Sequence, residues 1–157
     1  MHAQRIHTPD QRRQGHLRGP SLTLDRRIHA VRADLADIAL ADHIIAPRYV
    51  APVAMQGAAP YAMLRGDPDA AATATSALLF GERFAVFDIE NGWAWGQCEH
   101  DDYVGYVEVA RLVAAGPDAT HRISAPSALV FTRADIKAPI LMTLPMGARL
   151  SAQDHDE

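Results

Sequence analysis

The chain has 157 residues, of which 48% are hydrophobic and 22% are charged, as expected for one globular domain or two very small ones. The formal net charge of -4 argues against a protein that binds nucleic acid by bulk attraction. The single cysteine, Cys98, excludes an intramolecular disulfide, and no window is apolar enough to predict a membrane span.

The N-terminal arm, residues 1–22, is polar and basic and shows no apolar period. Residues 1–32 contain seven arginines against two aspartates, a local excess of five positive charges. This composition predicts a disordered, solubilising arm rather than a ligand-binding one. The arm has no apolar h-region, so the sequence as written carries no secretory signal and predicts a cytoplasmic protein, unless export uses another route.

The lead-in segment, residues 23–52, begins with apolar residues at helical spacing. They are separated by four, three, four and three positions: Leu24, Ile28, Val31, Leu35 and Ile38. This period predicts a short helix that ends before Pro47. The helix is too short to be a domain, so we expect it to lie against the rest of the protein.

Residues 53–115 have the composition of a β domain. The stretch ALLFGERFAVFDIENGWAWGQ, residues 77–97, is rich in strand-forming residues. Within it, Asn91-Gly92 is a strong signal for a two-residue hairpin, and EHDD, residues 99–102, predicts a second polar turn. Short strands joined by tight turns predict a small antiparallel barrel or sandwich.

An internal repeat suggests the architecture of the remainder. Residues 59–84 align without a gap on residues 125–150, with eight identities in 26 positions and a shared glycine, Gly81 and Gly147. Residue 157 corresponds to Asn91, so the second copy, residues 117–157, is predicted to be incomplete. We expect it to be poorly ordered or to pack on the first copy. The predicted fold is mainly β: a small SH3-like antiparallel barrel, an N-terminal extension and a truncated second repeat.

Four motifs of the first copy resemble a known family. They are AMLRGDPDA, SALLFGERFAVFD, GWAWGQ and DYVGYV, between residues 62 and 107. The chain resembles the bacterial SH3-like (SH3b) domains that precede the catalytic domain of NlpC/p60 cysteine peptidases, enzymes that cut γ-D-glutamyl bonds in cell-wall peptides. The resemblance extends over about residues 24–150, and the peptidase domain of that family is missing from this sequence.

The aromatic residues of the first copy are its candidate binding residues. Alternation along a strand places Trp93 and Trp95 on the same side, where the rings either fill the core or form a peptide-binding groove. The resemblance implies that Tyr103 and Glu82 face the free amino terminus of a substrate peptide. The predicted ligand-binding residues are those two together with Trp95 and Tyr106.

No catalytic set is predicted. Cys98 lies on a predicted strand that leads into a turn, without a helix N-terminus to lower the pKa of its thiol, and His100 has no evident orienting partner. No pair of histidines shows a ligand spacing such as H-x3-H, and no phosphate-binding loop is present, so we predict neither a metal nor a cofactor.

The sequence therefore predicts a non-catalytic SH3b module that targets a cell-wall hydrolase or gates its substrate. Its partner would be a cell-wall stem peptide or a peptidase domain. One alternative is a part of an active NlpC/p60 cysteine peptidase whose catalytic domain is missing from this chain. Another is a small barrel that binds nucleic acid, which the acidic balance of residues 33–157 disfavours.

Overall fold

A computed structural model describes residues 24–152 of the chain. The predicted disordered arm, residues 1–22, and the last five residues of the predicted second repeat lie outside the described residues. The described part contains two 3-10 helices, no α-helix and no helix able to cross a membrane. Its strands are β1 (Ala36–Asp37), β2 (Tyr49–Val50), β3 (Val53–Gly57), β4 (Tyr61–Arg65), β5 (Ala74–Leu79), β6 (Arg83–Glu90), β7 (Trp93–Cys98), β8 (Val104–Glu108), β9 (Leu112–Ala114), β10 (His121–Arg122), β11 (Ser127–Phe131), β12 (Ile140–Pro145) and β13 (Arg149–Leu150).

Seven of the strands form one antiparallel sheet in the order β5-β4-β8-β7-β6-β3-β9. The predicted mainly β, SH3-like class is confirmed, but the sheet is open, with β5 and β9 at its edges. An isolated bridge between Gly57, the last residue of β3, and Phe80, directly after β5, joins the two sides of the sheet. A Cβ atom at Gly57 would overlap the carbonyl oxygen of Leu79, so this close approach requires glycine.

The two predicted turns are both present. Asn91 and Gly92 have φ values of 50° and 82°, the left-handed conformations that a two-residue hairpin of this type needs. The second turn, residues 99–102, ends at Asp102 with φ 61°. The carboxylate of Asp101 accepts hydrogen bonds from the amide of Tyr103 at 3.1 Å and the hydroxyl of Ser76 at 2.5 Å, which ties this turn to β5.

The sheet buries apolar side chains on both of its faces. The larger of the two sets, which we call the inner cluster, consists of Ala62, Leu64, Leu78, Phe84, Val86, Ala94, Cys98, Val107 and Leu112. The outer cluster lies between the opposite face and the lead-in segment, and its buried members are Ala30, Leu35, Phe87 and Trp95. The lead-in segment therefore covers a face that would otherwise expose aromatic surface.

A bulge in β6 places two consecutive residues on the outer face. The register shifts between Val86, which pairs with Gly96, and Asp88, which pairs with Trp95. Phe87 is the extra residue: its ring packs against the Trp95 ring with centroids 5.7 Å apart. Phe87 and Asp88 thus both accompany Trp95, as two residues oppose one in a bulge.

The prediction of a short helix in the lead-in segment is wrong. Residues 24–35 contain one turn, several bends and an isolated bridge residue, Val31. The one helical element among the segment's described residues is the 3-10 helix Ile38–Leu40, whose first turn is capped by the carboxylate of Asp37. An isolated helix of this length is only marginally stable, and here the backbone bonds elsewhere. The carbonyl of Arg27 accepts the amide of Val104 at 2.7 Å, and the amide of Ala36 donates to Arg48 at 2.9 Å.

The C-terminal part packs on the first unit. The amide of Arg149 donates to the carbonyl of Phe80 at 2.8 Å, and Arg83 forms an ion pair with Asp118 at 3.0 Å. Strands β11 and β12 pair in the same register as β4 and β5 with every residue number raised by 66, including the position of the register shift. Five large apolar side chains of this part are more than half exposed: Leu129, Ile136, Ile140, Leu141 and Met146.

Candidate functional site

A row of paired residues crosses four neighbouring strands on the outer face. Trp95 of β7 pairs with Asp88 of β6 on one side and with Tyr106 of β8 on the other. Tyr106 in turn pairs with Arg65 of β4. Paired residues of an antiparallel sheet point to the same face, and strands lie about 4.8 Å apart, so the row spans about 14 Å. Its two aromatic rings lie between a carboxylate at one end and a guanidinium at the other.

Trp93 lies in the adjacent row and separates two clefts. It pairs with Glu90 of β6 and Glu108 of β8. The first cleft, which we call the acidic cleft, has a volume of about 190 Å³ and is lined by Arg32, Pro68, Asp88, Glu90, Asn91, Trp93, Trp95 and Tyr106. The second, the basic cleft, has a volume of about 320 Å³ and is lined by Pro60, Tyr61, Ala62, Met63, Arg65, Trp93, Glu108 and Arg111.

Arg32 of the lead-in segment occupies the acidic cleft. Its guanidinium carbon lies 5.0 Å from the centroid of the Trp95 ring, a cation–π distance. The group donates to both carboxylate oxygens of Asp34, at 2.6 and 2.8 Å, to the carboxylate of Asp88, and to the Tyr106 hydroxyl at 3.5 Å. The bonds to Asp34 are the main reason that the pKa of Arg32 is raised, and they lower the pKa of Asp34 to about 2. The aromatic and acidic groups of this cleft therefore hold a cation.

The basic cleft combines exposed apolar surface with two guanidinium groups. Tyr61 is 56% exposed and Met63 is 41% exposed, so both offer contact area to a ligand. Arg65 donates one hydrogen bond, to the carbonyl of Ala72, and Arg111 donates to Glu108 over 3.4 Å. A guanidinium has five N–H donors, so both groups keep most of their donors for a further acceptor.

The strands of this face lie inside a recognisable domain. Residues 64–112 match the family described as the bacterial dipeptidyl-peptidase SH3 domain. Residues 64–112 are a bacterial SH3-like domain. The resemblance to a bacterial SH3-like domain is therefore confirmed over these residues, and no curated protein matches the chain. The SH3-like domain contains both tryptophans and Asp88, whereas Arg32 comes from the lead-in segment outside the match.

The SH3-like domain brings together only two of its four predicted ligand-binding residues. Trp95 and Tyr106 are neighbours on the outer face. Tyr103 is partly buried against the inner cluster, and Glu82 is 3% exposed, with its carboxylate accepting the amide of Leu79 at 2.9 Å. Glu82 thus closes the turn around Gly81, and its predicted contact with a peptide amino group stays a prediction that would require this turn to open.

The structure divides the two tryptophans between the two roles that the sequence left open. Trp95 is 5% exposed and belongs to the outer cluster, and Trp93 is half-buried and lines both clefts. Sequence reasoning did not select Trp93, Asp88 or Arg32 as binding residues. Alternation with Trp95 was a signal for Trp93, but 56 positions separate Arg32 from Asp88 and no local pattern connects them.

Cys98 is a core residue of the SH3-like domain. It is 2% exposed and belongs to the inner cluster. Burial, aided by the carboxylates of Asp101 and Glu82, raises the pKa of its thiol to about 12. The thiolate is the reactive form of cysteine, so this environment disfavours a nucleophilic role. Within residues 24–152 no group of three or more His, Cys, Asp or Glu side chains could hold a metal ion.

Because the Cys98 pKa is raised, the native thiol stays protonated at pH 8 and is shielded from reagents. We expect no reaction with a water-soluble disulfide reagent such as DTNB (5,5′-dithiobis(2-nitrobenzoic acid)) over an hour at pH 8, and one equivalent of released thiolate in 6 M guanidinium, read by absorbance. Rapid reaction of the folded protein would contradict the buried assignment, and a Cys98→Ala variant supplies the blank.

Proposed function

We propose that this chain is a non-catalytic SH3-like module of a cell-wall peptide hydrolase system, which binds a cell-wall stem peptide on its outer face. The observation that carries the proposal is the placement of Trp93, half-buried between an acidic and a basic cleft. The family description supports the context, because it names a dipeptidyl-peptidase, a peptide-cleaving enzyme.

A peptide suits this face better than an apolar small molecule does. SH3-type folds bind peptides in aromatic grooves, and an indole ring offers a large contact area at low entropic cost. Stem peptides carry free ammonium and carboxylate groups. The acidic cleft offers Glu90 to a cation, because Asp88 is already paired with Arg32, and the basic cleft offers Arg65 and Arg111 to an anion. Both kinds of group in such a ligand would find an opposite charge within this face.

The absence of a catalytic role in the described residues is supported by Cys98. A cysteine peptidase needs an accessible thiolate beside a base, and Cys98 is buried with a raised pKa. The family description favours one second candidate, that the module works as the SH3 part of an active peptidase. Incubating the purified chain with a γ-D-glutamyl peptide should give no turnover, and a measurable rate abolished by Cys98→Ala would overturn the non-catalytic proposal.

We further propose that residues 121–150 repeat the first part of the unit. Besides the shared strand register, two glycine amides make the same contact: Gly81 donates to Gly57 and Gly147 donates to Ile123, both at 2.9 Å. Asp69 and Asp135 each accept the amide two residues further on, both at 2.8 Å. The two segments agree in their strand pairing, their glycine turns and their side-chain caps. This agreement supports common ancestry better than it supports two unrelated segments that both form hairpins.

Replacing Trp93 tests the binding proposal. We expect the Trp93→Ala variant to bind the synthetic tetrapeptide L-Ala-γ-D-Glu-L-Lys-D-Ala about tenfold more weakly than the unaltered protein, because a central aromatic contact is lost. The measurement is an NMR titration followed by amide shifts of β6, β7 and β8.

Ile89→Ala is the matched control for this titration. Ile89 is 55% exposed and pairs with Ala94, whose side chain belongs to the inner cluster, so the substitution removes apolar surface away from the clefts. Its affinity should equal that of the unaltered protein. Equal affinities of the Trp93 variant and the unaltered protein would refute the proposed binding face.

A further inference from the structure

The outer face of the SH3-like domain carries an electrical polarity that runs across its strands. The row of paired residues begins with Asp88 on β6 and ends with Arg65 on β4. The second row begins with Glu90, also on β6, and Arg111 follows β8 at the opposite side, in the basic cleft. Trp93 lines both clefts, so a ligand that crosses its ring meets two carboxylates and one guanidinium on one side, and two guanidinium groups and one carboxylate on the other.

Some charged side chains of this face are already paired within the protein, and others remain available to a ligand. Arg32 neutralises Asp88 at the acidic end. Glu90 is exposed, and within residues 24–152 its carboxylate has no ion pair and no side-chain hydrogen bond. At the basic end the Arg111–Glu108 contact is long, 3.4 Å, and both side chains are about half exposed. Glu90 and Arg111 are therefore the groups best able to meet a ligand's terminal charges.

From this placement we propose that the SH3-like domain binds a peptide of about four residues across its strands, with the ammonium group at Glu90 and the terminal carboxylate at Arg111. The inference deepens the proposed function and rests on it. Arg111 lines the basic cleft together with Arg65 of β4, and β4 lies three strand spacings of about 4.8 Å from β6, so the distance from Glu90 across the cleft is about 14 Å. An extended chain advances about 3.3 Å per residue, so about four residues fit. Trp93 then lies beneath the middle of the peptide, where an aromatic contact contributes most.

The test uses four forms of the tetrapeptide L-Ala-γ-D-Glu-L-Lys-D-Ala: unmodified, N-acetylated, C-amidated and doubly blocked. Each blocked end should weaken binding to the unaltered protein by about three- to tenfold at low salt, the range for an exposed charge-assisted contact. Affinities are measured by isothermal titration calorimetry. Glu90→Gln and Arg111→Gln are the paired variants, since both side chains lie on the surface and their removal leaves the core intact.

The expected result is a crossed pattern. N-acetylation should lose its effect in Glu90→Gln and keep it in Arg111→Gln, and C-amidation should do the reverse. Effects exchanged between the two variants, or unchanged in both, would overturn the proposed orientation. Trp93→Ala distinguishes failure of the proposed orientation from failure of the proposed function. Binding that depends on Trp93 without the crossed pattern would refute the orientation alone. Failure of all four peptides to bind would refute the proposed function as well.

Discussion

Trp95→Ala is expected to lower the free energy of unfolding by about 3–5 kcal/mol, the usual loss for removing a large buried aromatic ring. Trp95 packs against Phe87, supports the guanidinium of Arg32 and closes the outer cluster with Leu35. The variant loses these contacts together, because this ring lies between the lead-in segment and the sheet. With total stabilities of about 5–15 kcal/mol for ordinary domains, this is a large fraction.

Urea denaturation followed by circular dichroism measures this loss, and Trp93→Ala is the matched comparison. Trp93 is half-buried and outside both apolar clusters, so its removal should cost about 1 kcal/mol, as for substitutions near the surface. Trypsin should also cleave after Arg32 faster in the Trp95 variant, because the lead-in segment loses its support. Equal stability losses for the two tryptophan variants would show that Trp95 does not anchor the lead-in segment.

Gly81→Ala should be the second most damaging substitution, with a loss of about 3 kcal/mol or more, given a left-handed penalty of about 1–2 kcal/mol and a backbone clash. Gly81 has φ 75°, and a Cβ atom there would overlap the carbonyl oxygen of Arg149. The chain can relieve that overlap only by moving β13 away, which breaks the hydrogen bond between Arg149 and Phe80.

Gly147→Ala provides the comparison from the corresponding turn of the C-terminal part. Gly147 has φ 96°, but its nearest neighbour would be the flexible end of the Leu79 side chain, at 3.0 Å. We expect a loss of about 1–2 kcal/mol, the conformational cost alone. Hydrogen exchange at the Arg149 amide should accelerate in Gly81→Ala more than in Gly147→Ala. Similar stabilities and exchange rates in the two variants would show that β13 does not constrain the Gly81 turn.

Local sequence patterns predicted the parts of the fold that local physics determines. Asn91-Gly92 specifies its hairpin through positive φ values, and alternation placed Trp93 and Trp95 together because strand geometry has a period of two. The spacing of 66 between similar segments is also the spacing between the equivalent registers of β4–β5 and β11–β12. Each of these signals depends on residues that lie close along the chain or repeat at a fixed interval.

Tertiary contacts decided the parts that the sequence did not predict. The apolar spacing of the lead-in segment imitates a helix, yet Ile28 and Ile38 are exposed and the backbone of Arg27 bonds to the sheet. Glu82 matches a family motif, and its carboxylate also accepts the amide of Leu79 within a turn, a contact that the motif does not indicate. The partnership of Arg32 with Trp95 and Asp88 joins residues more than 50 positions apart, and a pattern search along the chain has no means to find it.

The extra residue in β6 has a consequence for how this face can change. In a regular strand a single position opposes Trp95, and it can be either apolar or charged. The bulge supplies two, so Phe87 packs against the indole while Asp88 holds a cation beside it. Deleting Phe87 would restore regular pairing and force one position to serve both purposes. The number of residues in β6, and not only their identity, thus determines which side chains face the indole.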